Sequence, residues 1–390
     1  MTVVAQRLIV LFAVLMPALG VVASKGIAAA VVVAGAAGLA LWAKEGFARI
    51  PIPRSLIVAL SALAAWAAIT AAWAPHPSGA LLLIGALVVL SVAGIGLLVA
   101  ASRLDEAHRR RTGGLLLVGM SLGLAALGTG YAYANATGRS LWGTFFSDPL
   151  TTLNNGAVVI SLLAWPASAA LWRQGRARFI VPAAAALFIG LAFLSSGAAL
   201  LAVVCGLAAF AVVWLFGRRG AWVLAAVLFV ATLAAPLLVS SRLPIMSTTK
   251  ITESLPPSSQ HRLTMWAFAV EKIAVKPTWG WGMDASRAIP QEDRRLAPNM
   301  EIMPLHPHNA LLQVRLELGL PGAALVAAIL SILFAKVIGG IGDRTARAFA
   351  AGAAGAYLAV AAVSYGMWQN WWMATAWALA ALMAVVLRPA

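Results

Sequence analysis

The sequence predicts an all-α polytopic membrane protein with about twelve transmembrane helices. Hydrophobic residues make up 62% of the 390 and charged residues only 10%, with mean hydropathy +0.91, outside the range of soluble globular domains. The apolar stretches are unbroken and about twenty residues long, as a helix crossing about 30 Å of hydrocarbon requires. A barrel would instead alternate in segments of about ten residues. The basic residues also sort to alternate connections, the mark of a threaded chain.

Taken in order, the spans fall near 7–23, 27–43, 55–74, 79–101, 113–134, 155–172, 179–195, 198–217, 221–239, 319–338, 347–365 and 371–387. The first mimics a signal peptide, with Arg7 ahead of an apolar run to Ala23, but the loop charges need it as an uncleaved span. Gly119 and Gly123 in the fifth permit close helix contact. Only Ser195-Ser196-Gly197 separates the seventh from the eighth. Trp368, Trp371 and Trp372 with Tyr365 read as an aromatic belt at the outer interface. No internal repeat is evident, which argues against a transporter built on inverted repeats.

With the N-terminus in the cytoplasm, 17 of the 28 Lys and Arg residues face inward. They are Arg7, Lys44, Arg49, Arg54, Arg103, Arg109, Arg110, Arg111, Arg173, Arg176, Arg178, Arg218, Arg219, Lys336, Arg344, Arg347 and Arg388. The short outer loops hold only Lys25 and Arg139, and the other nine lie in a segment long enough to escape the rule. The chain thus divides into nine spans over 1–239, a large outer segment over 240–318, and three spans over 319–390. The net charge of +16 is a topology signal and not a nucleic-acid-binding face. Cys205 is the one cysteine and lies in an apolar run, so there is no disulfide framework.

Polar chemistry concentrates between Ser258 and Gly322, which hold three of the five histidines. Ser258 and Ser259 can cap a helix whose apolar positions are Leu263, Trp266, Val270 and Ile273. Arg262, preceded by His261, then lies in the first turn, where unpaired N–H groups and the helix dipole favour an anion. The guanidinium fork would complete a pyrophosphate clamp. The plainer reading stacks Arg262 on Trp266 or pairs it with Glu271. For Arg287, after Gly280-Trp281-Gly282-Met283-Asp284, pairing with Asp284 is the structural alternative to a substrate contact.

His306 and His308 flank Pro307 and point to one side of an extended segment. They form either two ligands of a metal, completed by Glu301 or Asp284, or a general base beside a helper. A pair of solvated loop histidines is the bland alternative. The base is favoured because His308 leads directly into Asn309, which caps or orients a helix returning to the membrane. Glu317-Leu318-Gly319-Leu320-Pro321-Gly322 breaks the helix at that return.

In order and spacing, Arg262…Trp266, Pro277…Gly280-Trp281-Gly282 and His306-Pro307-His308-Asn309…Gln313…Glu317-Leu318-Gly319 resemble the O-antigen ligase and polymerase superfamily of bacterial envelope enzymes. The layout, with its large periplasmic loop between spans nine and ten, is similar too. The Gly280–Arg287 run and Trp368-Gln369-Asn370-Trp371-Trp372 look closer to the ligase branch.

The resemblance implies an inner-membrane glycosyltransferase acting at the periplasmic face. It would move a glycan from undecaprenyl-pyrophosphate to a sugar hydroxyl of lipid A–core, without a nucleotide sugar, metal or other cofactor. Both substrates reach it through membrane lipid. His308 would be the base with His306 the runner-up, and Arg262 would hold the pyrophosphate among contacts drawn from His261, Asn309, Arg287 and Arg139. One departure stands out. Ligases often carry an arginine in an Asn-Arg-Gly setting at the sixth span, and here Leu153-Asn154-Asn155-Gly156 puts Asn155 in that place. Arg139 or Arg287 is then the candidate for the missing charge. The alternatives are a polymerase using a second carrier-linked acceptor, transfer to a protein hydroxyl, and a lipid-linked glycan transporter. The last predicts ionisable residues along the spans, which are almost absent.

Overall fold

The computed structural model describes residues 2–47, 50, 52–142, 149–194, 196–239, 257–291, 294–297 and 300–388. A helix stands at each predicted span: α1 (Thr2–Val22), α2 (Ile27–Lys44), α3 (Arg54–Thr70), α4 (Pro77–Ser102), α5 (Glu106–Thr137), α6 (Pro149–Arg173), α7 (Ile180–Phe193), α8 (Gly197–Phe216), α9 (Arg218–Leu233), α12 (Ala310–Ile332), α13 (Arg344–Ala361) and α14 (Asn370–Leu387). Among the described residues nine helices are long and apolar enough to cross a membrane. The protein is therefore a polytopic α-helical membrane protein. α7 has 14 residues and α9 16, while α13 opens on Arg344 and Arg347. Asp105 and Asp343 start α5 and α13 by accepting backbone N–H bonds from His108 and Ala346.

The connections gather at two opposite ends. At one, Arg103 pairs with Glu45 at 2.7 Å, Arg173 donates to the Leu387 carbonyl, Arg388 to that of Ser102, and Arg344 to those of Trp214 and Leu215. At the other, Trp66 donates to the Leu318 carbonyl, Tyr131 to that of Phe193, and Tyr365 to the Asn155 side chain. Between them α1 and α5 touch through backbone. A Cβ added to Gly119 would lie 2.4 Å from the Val14 carbonyl oxygen, as the glycine pair leads one to expect.

The segment between α9 and α12 has a core of its own. Met265, Phe268 and Ile273 of α11 (Pro257–Val275) pack on Ile289, Ile302, Met303 and on Leu312 and Leu316 of α12. A one-turn helix α10 (Ala235–Leu238) precedes it, and a short antiparallel ribbon, β1 (Arg295–Ala297) with β2 (Met300–Glu301), lies within it.

α12 begins at Ala310, where Asn309 caps it by accepting from Leu312 N–H, as the run from His308 into Asn309 leads one to expect. Two expectations are corrected here. α11 begins at Pro257, so Ser258 and Ser259 lie inside its first turn and Arg262 in its second. The tryptophans are not a belt: Trp368, Trp371 and Trp372 are 7%, 8% and 0% exposed.

Candidate active site

The site forms where α11, the loop 302–309, the head of α12 and the turn between α13 and α14 meet. α12 is the keystone. Pro321 cannot donate to the Glu317 carbonyl, and Gly319, at φ 65° and ψ −157°, turns the backbone out of the helix. The freed carbonyls of Leu316, Glu317 and Leu318 accept from Trp281 N–H, Gly282 N–H and Trp66 Nε1–H, and Leu320 N–H turns to the Thr278 carbonyl. Gly280 and Gly282 follow this surface at φ 72° and 99°. A Cβ on Gly280 would lie 2.4 Å from the Glu317 carbonyl oxygen.

The Glu317 carboxylate, fully buried, is surrounded by donors. It accepts from Asp284 N–H at 2.9 Å, Gln313 Nε2 at 3.0 Å, Trp368 Nε1 at 2.7 Å and the Ser286 hydroxyl. Gln313 in turn accepts from Met367 N–H at 2.8 Å. The carboxylate thereby ties the 280s loop and the 364–369 turn to α12, which is a structural task.

That turn meets the histidines. The His308 Nδ1–H donates to the Ser364 carbonyl, and His308 itself has φ 52°. Its backbone N–H donates to His306 Nδ1 at 3.3 Å, and the two rings lie 4.3 Å apart. His306 Nε2 stands 3.1 Å from Gln369 Nε2, and the Gln369 amide oxygen has no partner; with Nδ1 accepting, the His306 proton sits on Nε2, and exchanging the two ends of the amide would give it an acceptor there. Both ring nitrogens of His306 are thus committed. His308 Nε2 has no partner among the described residues. Burial, His308 and Arg287 push His306 down to about 3. Burial also lowers His308, helped by Arg262 and His261 and opposed by the Ser364 bond.

The other sequence candidates divide. Arg262 faces His308 and Tyr365 and is half-buried, while Glu271 pairs with Arg294 at 2.9 Å and Trp266 Nε1 donates to the Pro307 carbonyl. His261 Nε2 bonds the Ile302 carbonyl at 3.1 Å and faces His308. Arg287 pairs with Asp284 at 2.9 Å, though its charge reaches His306. Asn309 is the α12 cap. Asn155, 9% exposed, lies within α6, bonded to Tyr365 at 2.8 Å and to Ser24 at 3.5 Å. Arg139 is exposed beyond α5, and among the described residues nothing joins it to the histidines. Among the described residues no three His, Cys, Asp or Glu side chains converge as metal ligands. Ser364 and Gln369 were missed as partners of the histidines, and Tyr365 as a neighbour of Arg262; their signal was a polar cluster between two apolar helices.

Fold and site define a multi-pass membrane protein with a buried histidine–arginine site at one end of its bundle. The profile of a family described as O-antigen ligase matches residues 182–327, which include Arg262, both histidines and the α12 break. Over those residues the chain is similar to the O-antigen ligase family. The chain is also similar to proteins provisionally named polysaccharide ligases. A Rickettsia bellii protein is 36% identical over 137 residues, 34% of this chain and 33% of that protein. One from Rickettsia typhi is 34% identical over 137 residues, 34% of each. One from Rickettsia conorii is 26% identical over 250 residues, 62% of this chain and 60% of that protein. The chain thus spans about a third of the length of the first two and 60% of the third. No solved structure matches it.

Proposed function

We propose that the protein is an O-antigen ligase of the bacterial inner membrane, with its termini in the cytoplasm and its site at the periplasmic face. It transfers a glycan from undecaprenyl-pyrophosphate to a sugar hydroxyl of lipid A–core without metal. The observation that supports this best is the geometry of His308: its Nδ1 proton is held by the Ser364 carbonyl, and its Nε2, without a partner among the described residues, stands in the field of Arg262. Nε2 takes the proton of the acceptor hydroxyl, and the oxygen attacks the anomeric carbon of the donor. The bond from that carbon to phosphate oxygen breaks, and undecaprenyl-pyrophosphate leaves with its charge met by Arg262. The leaving pyrophosphate or water then takes the proton from His308.

The test is transfer by purified protein from undecaprenyl-pyrophosphate glycan, with and without lipid A–core, in excess chelator. Product on the core, and only when core is present, is expected. Lengthened carrier-linked glycan without core would mean a polymerase, and loss of activity restored by metal would revive a metal site.

A further inference from the structure

Asn155 stands where a second phosphate contact was sought, yet it is buried inside the bundle and bonded to protein. Its Oδ1 accepts the Tyr365 hydroxyl proton at 2.8 Å. The Tyr365 ring is locked between Trp371, 4.7 Å away edge-on, and Trp372, 4.9 Å away. Tyr365 is the chain neighbour of Ser364, whose carbonyl takes the His308 Nδ1 proton. An imidazole is a base at Nε2 only while its proton stays on Nδ1, and free histidine prefers the opposite tautomer. The carbonyl that makes the choice belongs to a non-helical turn, so something must fix the turn. The bond from α6 to Tyr365 and the Glu317–Gln313–Met367 contacts are what fix it.

We infer that Asn155 and Tyr365 are positioning residues that set the tautomer of His308, and that Asn155 does not bind the donor phosphate. This deepens the reading of His308 as the base and rests on it for its kinetic consequence, though the tautomer can be measured without any substrate. The charged and titratable groups facing His308 are Arg262 and His261 of α11 and His306 of its own loop. None of them bonds to its Nδ1, so the choice of tautomer falls to Ser364.

The test uses the whole protein in nanodiscs with 15N-labelled histidine. There are five histidines, and single His→Gln variants assign them. Wild type is expected to show His308 with its proton on Nδ1. Tyr365→Phe removes one hydroxyl and keeps the ring, so it tests the bond even if Asn155→Ala folds poorly. Either variant is expected to move a measurable share of His308 to the Nε2-protonated form. Turnover per folded molecule should fall about tenfold, the rate equivalent of roughly one hydrogen bond, with donor KM unchanged. An unchanged tautomer in Tyr365→Phe overturns the inference. So does Asn155→Arg with a lowered donor KM and full turnover, which would make position 155 a phosphate contact. Should the tautomer shift while His308→Ala keeps full activity, the positioning stands and the assignment of the base fails.

Discussion

His308 holds φ at 52°, a left-handed backbone that a side chain with a Cβ takes only where its surroundings enforce it. The enforcement comes from three directions: Ser364 on Nδ1, His306 on its N–H, and the Asn309 cap immediately after. His306 supports its neighbour with both nitrogens occupied, so the two histidines should fail differently. His308→Ala is expected to lower turnover by about 10²–10⁴, the usual share of a general base, and His306→Ala by about tenfold. Purified protein and initial rates decide it, and equal losses would return the assignment to the pair. The same geometry fixes a pH dependence. His308 works unprotonated, and burial with the charge of Arg262 lowers its affinity for a proton. The acid limb of kcat/KM should therefore have its midpoint below the ordinary histidine value of 6.5. Arg262→Ala removes a repelling charge and should move that midpoint up while raising donor KM. Arg262→Lys should keep the midpoint but restore KM only partly, because an ammonium cannot form the bidentate contact. A midpoint that ignores Arg262 would separate the two residues.

At the scale of elements, α12 shows what a helix break can do. Gly319 lies at φ 65° and ψ −157°, a region open in practice only to glycine, and a Cβ there would meet the Thr278 carbonyl oxygen at 2.1 Å. Gly319→Ala should destabilise the fold by about 2 kcal/mol or more and lower the melting temperature in detergent. A variant as stable as wild type would mean that the loop 276–282 can leave α12 at little cost. The break itself was legible, since glycine and proline two residues apart interrupt a helix wherever they occur. Its partners were not. Leu318 is answered by Trp66, and Glu317 by Ser286 and Trp368, pairings between distant parts of the chain that no local spacing records. The tryptophans misled for a similar reason. Aromatic residues at a span end read as an interfacial belt, but Trp368 is spent on a buried carboxylate and Trp372 stacks on Tyr357 at 4.3 Å.

The whole molecule is sorted by charge. Arg103, Arg173, Arg344 and Arg388 all bond at one end of the bundle, so the alternation read along the chain corresponds to a real grouping of its connections. The histidine site lies at the end where Ser24, Asn155 and Tyr365 meet. Hydropathy made the spans legible and charge their threading, because both properties act over a whole segment and do not depend on which residue meets which. The site demands particular pairs, which is why its residue types could be named while their roles stayed open. The proposal that the basic end faces the cytoplasm rests on its excess of Lys and Arg. It can be tested with a Cys205→Ser background carrying either Arg110→Cys at the basic end or Leu305→Cys in the outer segment, both exposed positions. An impermeant maleimide added to cells with a permeabilised outer membrane should label Leu305→Cys at once and Arg110→Cys only after the inner membrane is broken. The reverse order would put His308 in the cytoplasm, away from any periplasmic acceptor, and the ligase reading would fall with the topology.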